Sequence, residues 1–254
     1  LKLSKNGRIH SRTNTLGAVT GRSTSSNPNI QQVPSERAVY GKECRELFYA
    51  PKGWELMGSD QSGIELRCVA HYMSEWDNGA YGKVILEGDI HTTNQEAAGL
   101  KTRAQAKTFI YGGILYGAGK EKFLKGLPAL KDLQDYVLTF IAKGKLTGLD
   151  GRFIPIRHKH AALNSLLQSC GAILAKRWVV IFHSICKSHG YVHGKDYQQV
   201  AWVHDEIQVL VKEGTGDQFG KYAQDAMRQT GEYYSFGIRL DADYNIGRSW
   251  AETH

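Results

Sequence analysis

Two sets of side chains in this 254-residue chain have the types and spacing to do chemistry. Asp60 closes the segment Trp54-Glu55-Leu56-Met57-Gly58-Ser59-Asp60. Asp205 lies in His204-Asp205-Glu206, between the β-rich runs Val200-Ala201-Trp202-Val203 and Ile207-Gln208-Val209-Leu210-Val211. Two carboxylates brought together repel each other unless a cation stands between them. Hard oxygen ligands suit Mg²⁺, which takes one or two carboxylates plus substrate phosphates. Two such ions about 3.5–4 Å apart can activate an attacking oxygen and stabilise a leaving one. Each acid alone is an ordinary turn former, so the pair gains meaning only if the fold makes them converge. In the second set, Arg103, Lys107 and Tyr111 fall at i, i+4 and i+8, which lines two cations and a ring along one helix face. Such a face can hold a triphosphate and stack a base or sugar. Spacing alone favours the plainer reading, a solvated helix face.

The surrounding patterns say what must position these groups. Residues 54–60 read as a short strand ending in an acid. From Ser62 the apolar period becomes helical through Ile64, Leu66, Val69, Ala70 and Met73, with Ser62 the expected N-cap. Asp60 therefore sits at a strand-to-helix turn. Thr102 is the expected N-cap of a helix running through Ile110, and a further helical stretch covers about 120–143. Gly148-Leu149-Asp150-Gly151-Arg152 signals a turn. Residues 159–187 read as one long helix, and 204–206 as the tip of a hairpin. A helix over 215–233 and a strand over 238–246 complete the chain. Residues 1–35, rich in Gly, Ser, Thr and Asn, read as loop. Helices mixed with antiparallel hairpins indicate α+β.

Composition narrows the classes. Apolar residues make up 41% and charged residues 22%, which argues against disorder. A formal charge of +7 favours a polyanionic partner and equally fits a basic surface. The most apolar stretch, 163–182, is interrupted by Asn164, Gln168, Lys176 and Arg177, so no membrane span is expected. The first residues carry no apolar signal region. Cys44, Cys68, Cys170 and Cys186 form no C-x-x-C pair, so reduced, mostly buried thiols in a cytoplasmic protein are expected.

These signals form one ordered set. Asp60-Gln-Ser-Gly-Ile-Glu-Leu-Arg67 resembles motif A of the family A DNA polymerases. Arg103-x3-Lys107-x3-Tyr111, ending in Tyr116-Gly117, resembles motif B, and His204-Asp205-Glu206 resembles motif C. Thr20-Gly21-Arg22 with Pro28-Asn29-Ile30-Gln31, Leu149-Asp150-Gly151-Arg152, and Asn164-x3-Gln168 also match family segments in the right order. The Ser-Gly after the first acid and the ending Trp250-Ala251-x-x-His254 are similar to the replicative polymerases of short-tailed bacteriophages.

The resemblance implies an α+β fold: a right-hand palm with a small antiparallel sheet, over 1–90 and 148–254, and α-helical fingers over 91–147. It implies a DNA-templated DNA polymerase that adds dNMP to a primer 3′-hydroxyl and releases pyrophosphate. Two Mg²⁺ would be held by Asp60 and Asp205 with the Gln61 carbonyl, and Glu206 would support the site. Arg103, Lys107 and His91 would bind the triphosphate of the incoming dNTP, with Lys107 protonating the leaving pyrophosphate. Tyr111 would stack near the sugar, which implies weak discrimination against dideoxynucleotides. Glu65 would crowd the ribose 2′ position. Arg22, Asn164, Gln168 and His204 would touch the minor groove of the primer–template DNA, where acceptors are common to correct pairs. The implied cellular setting is the cytoplasm of a phage-infected bacterium.

Three departures from the family pattern bear on this. Tyr111 and Tyr116 are five residues apart instead of four, which would turn the second half of that helix by about 100°; a π-bulge at Gly112-Gly113 would absorb it. Few residues separate Tyr116-Gly117 from Leu149, so the fingers are expected to be either trimmed or only partly contained in this sequence. The family's thumb and 3′–5′ exonuclease domains normally precede the matched segment, so the chain is expected to hold palm and fingers only, with the thumb or a processivity factor supplied elsewhere. Two rival readings stay open: a nucleic-acid-binding piece that is catalytically incomplete, and a single-subunit RNA polymerase, against which Glu65 argues.

Overall fold

The computed structural model describes residues 6–102, 105, 124–142, 146–156 and 158–254. The chain divides into two compact units: Leu1–Ser62 with Leu174–Tyr233 and Leu240–His254, and Gly63–Ile173 with Tyr234–Arg239. The α+β expectation holds, with helices beside small antiparallel sheets.

The first unit begins with a short hairpin of β1 (Arg12–Asn14) and β2 (Thr24–Ser26), a 3₁₀ turn at Ile30–Gln32 and α1 (Gly41–Glu46). Its main sheet holds β3 (Trp54–Gln61), β6 (Tyr197–Val203), β7 (Glu206–Lys212) and β8 (Ala242–Gly247) in the order β6-β7-β3-β8. β3 is central because both of its edges are paired, antiparallel to β7 and β8. β7 is buried from Glu206 to Val211, as its near-continuous apolar run requires of a strand covered on both faces. α7 (Gly216–Tyr233) lays Phe219, Tyr222, Ala223, Ala226, Met227 and Thr230 inward. That three-to-four spacing is the apolar stripe of a core-facing helix. Trp178 packs fully buried beside it and donates its indole N–H to the Ala223 carbonyl at 2.7 Å.

The second unit is mainly helical: α2 (Ile64–Asp77), α3 (Ala80–Glu87), α4 (Ile90–Ala98) and α5 (Pro128–Ala142), with the hairpin of β4 (Leu146–Thr147) and β5 (Phe153–Ile154). Leu130, Leu133 and Val137 bury the inner face of α5. Trp76, Tyr136 and Phe140 continue the packing edge to face, with centroids 5.5 and 4.8 Å apart. The turn expected at 148–152 is present, closed by Gly148 and Arg152, with Gly151 at φ 81°.

A single helix, α6 (Ala162–Ser188), runs through both units. By length and composition it could cross a membrane, but its apolar residues fill the interior: Leu166, Leu167, Cys170 and Ile173 in one unit, Leu174, Trp178, Phe182 and Cys186 in the other. Burial of each large side chain contributes about 1.5–3 kcal/mol. All four cysteines are free, and all but Cys44 are buried.

Several sequence expectations shift. Residues 1–35, expected as loop, carry the β1–β2 hairpin and the Ile30–Gln32 turn. Ser62 does not cap α2: its hydroxyl donates to Asp243 Oδ2 at 2.7 Å, and Gly63, left-handed at φ 55°, stands at the cap. The stretch expected over 120–143 is helical over Pro128–Ala142, with 120–123 and 143 outside the described residues. The last strand begins at Ala242 instead of 238, because residues before it serve the helical unit. Phe236 stacks on His71 at 4.1 Å, and the Gly237 N–H donates to His71 Nδ1 at 3.0 Å. At Thr102 the hydroxyl accepts from the Gln105 N–H while the Gln105 side chain accepts from the Thr102 N–H, both at 3.2 Å, the reciprocal bonds of a capping box. The rest of the helix expected through Ile110 lies outside the described residues.

Candidate active site

The sheet brings the two expected acids to neighbouring strand ends. Asp60 stands near the end of β3, directly opposite Glu206 on β7 and Asp243 on β8. Val203 pairs with Glu206, so His204 and Asp205 form a two-residue hairpin turn. His204 takes φ 58°, a left-handed conformation that such tight turns use. The Gln61 N–H donates to the Asp205 carbonyl at 3.2 Å, and the Trp202 indole donates to the His204 carbonyl at 3.1 Å. The turn is thereby tied to the end of β3.

Electrostatics mark the pair. Burial, with the charges of Asp205 and Glu206 adding to it, pushes the Asp60 carboxyl up to about 7. The side chain is nevertheless open to solvent. Both hold together if Asp60 lies in a recess, touched by water on one side and surrounded by protein on the others. Asp205 is also raised, first by burial, against the opposing pull of Arg22 and His204. Each acid makes the other harder to ionise, and a cation between them relieves both.

Glu206 behaves differently. Its Oε1 accepts from the Trp250 indole and from Gln208 Nε2, both at 2.6 Å, and its Oε2 from His254 Nδ1 at 2.9 Å. Burial alone would raise this carboxyl, but the His254, Gln208 and Trp250 donors hold it below the usual range. His254 is raised in turn, first by its bond to Glu206. Gln208 is itself oriented by Thr253, whose hydroxyl donates to Gln208 Oε1 at 2.8 Å. Glu206 is thus a fixed negative charge beside the two acids, with its oxygens already engaged.

Gly58 makes this cradle possible. A Cβ there would lie 2.3 Å from the Thr253 carbonyl oxygen and 2.4 Å from Gln208 Nε2. Gly58→Ala is expected to destabilise the fold by about 3 kcal/mol, because one wall of the clash is backbone. Thermal denaturation checks this, and a midpoint equal to that of the wild type would refute it.

The donor set fits Mg²⁺: hard carboxylate oxygens, two of them, held at the open end of a rigid sheet. Among the described residues no group of three or more His, Cys, Asp or Glu side chains closes around a metal position.

The remaining expected residues fall in several places. Arg22 lies in the same unit as the acids, and its charge is felt by both His204 and Asp205. Gln61 is 1% exposed, with neither amide atom of its side chain hydrogen-bonded. In the helical unit, Glu65 is in the first turn of α2, and His91 is in the first turn of α4, its N–H donating to the capping Asp89 at 3.0 Å. Asn164 and Gln168 lie one turn apart on α6, with Asn164 Oδ1 buried and unpartnered. Arg103, Lys107 and Tyr111, and Tyr116 with them, lie outside the described residues.

Sequence reasoning passed over Asp243, Gln208 and Trp250. Asp243 has no motif signal, and its place opposite Asp60 is set by strand pairing. Trp250 and His254 did carry a signal, since they stand in the Trp-Ala-x-x-His ending, but that pattern says nothing about a carboxylate 44 residues away in the chain.

Comparison with known proteins adds an independent line. The profile of DNA polymerase family A matches residues 1–143 and 136–252. The chain is 40% identical to the DNA-directed DNA polymerases of Enterobacteria phage T3 and Escherichia phage T7, over 99% of its own length and 42% of theirs. A thermostable DNA polymerase I of Thermus filiformis is 27% identical over 98% of the chain and 33% of the relative. The fold matches the POL domain of Pol1 from M. smegmatis, solved in complex with DNA primer-template and dNTP, with a TM-score of 0.84 at 24% identity; the match covers 98% of this chain and 49% of that one. The chain therefore spans less than half the length of these relatives.

Proposed function

The chain belongs to DNA polymerase family A, and from that membership we propose that it forms the catalytic region of a DNA-templated DNA polymerase. The observation that carries the reading is the convergence of Asp60 and Asp205 at adjacent strand ends, with both carboxyls raised. The substrates are a primer–template duplex and dNTPs, and the products are the extended primer and pyrophosphate. The working setting is the cytoplasm of a phage-infected bacterium. A thumb or processivity factor would add the grip on DNA that palm and fingers lack.

Asp60 and Asp205, with the Gln61 carbonyl, would hold two Mg²⁺, which supply positive charge where the attacking 3′-oxygen and the leaving pyrophosphate become anionic. The protein's own part is positioning and charge placement. Glu206 fixes a negative charge beside the pair without giving up its oxygens. Arg103, Lys107 and His91 grip the triphosphate, and Lys107 gives its proton to the departing pyrophosphate. Tyr111 stacks near the sugar, while Glu65 fills the space a ribose 2′-hydroxyl would need. Arg22, His204, Asn164 and Gln168 read minor-groove acceptors at the primer end. The division into palm over 1–90 and 148–254 and fingers over 91–147 belongs to the same reading.

Extension of a labelled primer–template at low salt with Mg²⁺ and dNTPs tests this, beside an Asp60→Ala control. Extension by the wild type that vanishes in the control is the expected result. DNA binding without extension would mean that the chain is an incomplete catalytic module. Ribonucleotides used as efficiently as dNTPs would overturn the role of Glu65 and favour an RNA polymerase.

A further inference from the structure

Arg22 sits between two buried neighbours, Gly21 and Ser23, and each is anchored from a different element. Gly21 lies in a tight turn at φ 80°, a conformation that favours glycine. The turn is closed by the Gly21 N–H on the Ala18 carbonyl at 2.9 Å and by the Ala18 N–H on the Arg22 carbonyl at 3.1 Å. The Gly21 carbonyl takes a bond from outside the turn: Lys176 Nζ, on α6, donates to it at 2.6 Å. On the other side, Gln31 Nε2 donates to Ser23 Oγ at 3.1 Å and to the Trp202 carbonyl at 3.3 Å. Trp202 is the residue whose indole ties down His204.

The Gly21 carbonyl belongs to the peptide group that joins Gly21 to Arg22. Peptide groups are planar, so fixing that oxygen fixes the direction in which the Arg22 backbone leaves the turn. The bond is charge-assisted and short, hence among the stronger kinds. Lys176 lies on a core helix, a rigid base for the contact. In this unit the Arg22 charge already acts on His204 and Asp205, so its placement matters at the hairpin tip.

We propose that Lys176 is a positioning residue for DNA recognition, acting through the Gly21 carbonyl to aim Arg22 at a minor-groove acceptor of the primer terminus. This rests on the reading of Arg22 as a DNA contact and goes beyond it, because no motif assigned Lys176 a role. A side chain that acts this way should affect the same DNA atom as Arg22 and leave nucleotide handling alone.

The test uses primers ending in adenine or in 3-deaza-adenine, which lacks the N3 acceptor presented in the minor groove. Wild type is expected to bind and extend the deaza primer roughly tenfold less well, the size of one charge-assisted bond. Lys176→Met should lose a similar factor on the normal primer and show almost no further loss on the deaza primer, with the KM for dNTP unchanged. Lys176→Arg, which can still reach a carbonyl, should restore the deaza penalty. If Lys176→Met melts early by circular dichroism, Lys176→Gln serves instead, its amide being too short to span the gap. A full deaza penalty retained by a folded Lys176→Met or Lys176→Gln variant, while Arg22→Ala has lost it, overturns the inference. A full penalty retained by Arg22→Ala overturns the reading of Arg22 itself, and the inference with it.

Discussion

Asp60→Asn should abolish primer extension and at the same time make the fold more resistant to heat. The loss follows from removing one of the two carboxylates that converge at the strand ends. With that charge gone, extension should fall by a factor of about 10³, the upper end of the range for removal of a key electrostatic group. The gain in stability follows from the sign of the shift. The Asp60 carboxyl rises from 3.8 to about 7 in the folded chain, so the folded state holds the proton more tightly than the unfolded one. Ionisation of Asp60 therefore costs stability that begins to be lost above pH 3.8 and is fully lost once the pH exceeds about 7. The advantage of the Asn variant should be absent near pH 3 and complete near pH 8. Because Asp60 is open to water, screening reduces the gain to about 1–2 kcal/mol, well below a direct conversion of the shift. Melting curves of both proteins across that range, without Mg²⁺, measure it. Adding Mg²⁺ should raise the midpoint of the wild type and leave the variant nearly unmoved. A variant that melts below the wild type at pH 8 would refute the electrostatic description of the site.

Glu206→Ala is expected to cost roughly 3 kcal/mol of stability, since it strands several donors around a buried position. Trp250, Gln208 and His254 each lose their acceptor, and the 249–254 segment that they pin to the sheet loosens. Extension should fall as well, because Glu206 stands directly opposite Asp60. The pH dependence separates this from simple loss of packing. The Glu206 carboxyl is lowered from 4.5, so its contribution is present above that value and fades as the pH falls through the lowered one. His254 is raised from 6.5, so its contribution is full below 6.5 and fades as the pH climbs through the raised value. The stability gap between wild type and Glu206→Ala should therefore be widest between pH 4.5 and 6.5 and narrow on both sides. A gap that does not change with pH would leave the pair only a packing role.

Most of the elements were legible in the sequence because their signals are local. A short strand-like run ending in an acid marked β3, a change of period marked α2, and an Asp-Gly pair marked the 148–152 turn. Thr102 and Gln105 form the cap that Thr102 announced, since capping is settled within one turn of chain. The failures are informative in the same terms. Ser62 has the chemistry of an N-cap, yet its hydroxyl is taken by Asp243, a residue 181 positions away. Residues 238–241 have strand-like composition, but Phe236 and Gly237 just before them are held on His71, which delays the strand to Ala242.

The site divides along the same line. Sequence by itself determined which residues are candidates for the chemistry: Asp60 and Asp205, their positions at element ends, and their order among the other family motifs. Those are properties of residue type and spacing. Only the tertiary structure decided that the two acids meet, because β3 and β7 pair in a register that sets Asp60 against Glu206 and ties Gln61 to Asp205. It alone engaged Glu206 with Trp250 and His254, placed Asp243 beside Asp60, and set Lys176 on the Gly21 carbonyl. Hydrogen bonds between residues 44 to 184 positions apart leave no periodic or local trace. They exist only once burial has brought the strands and helices together.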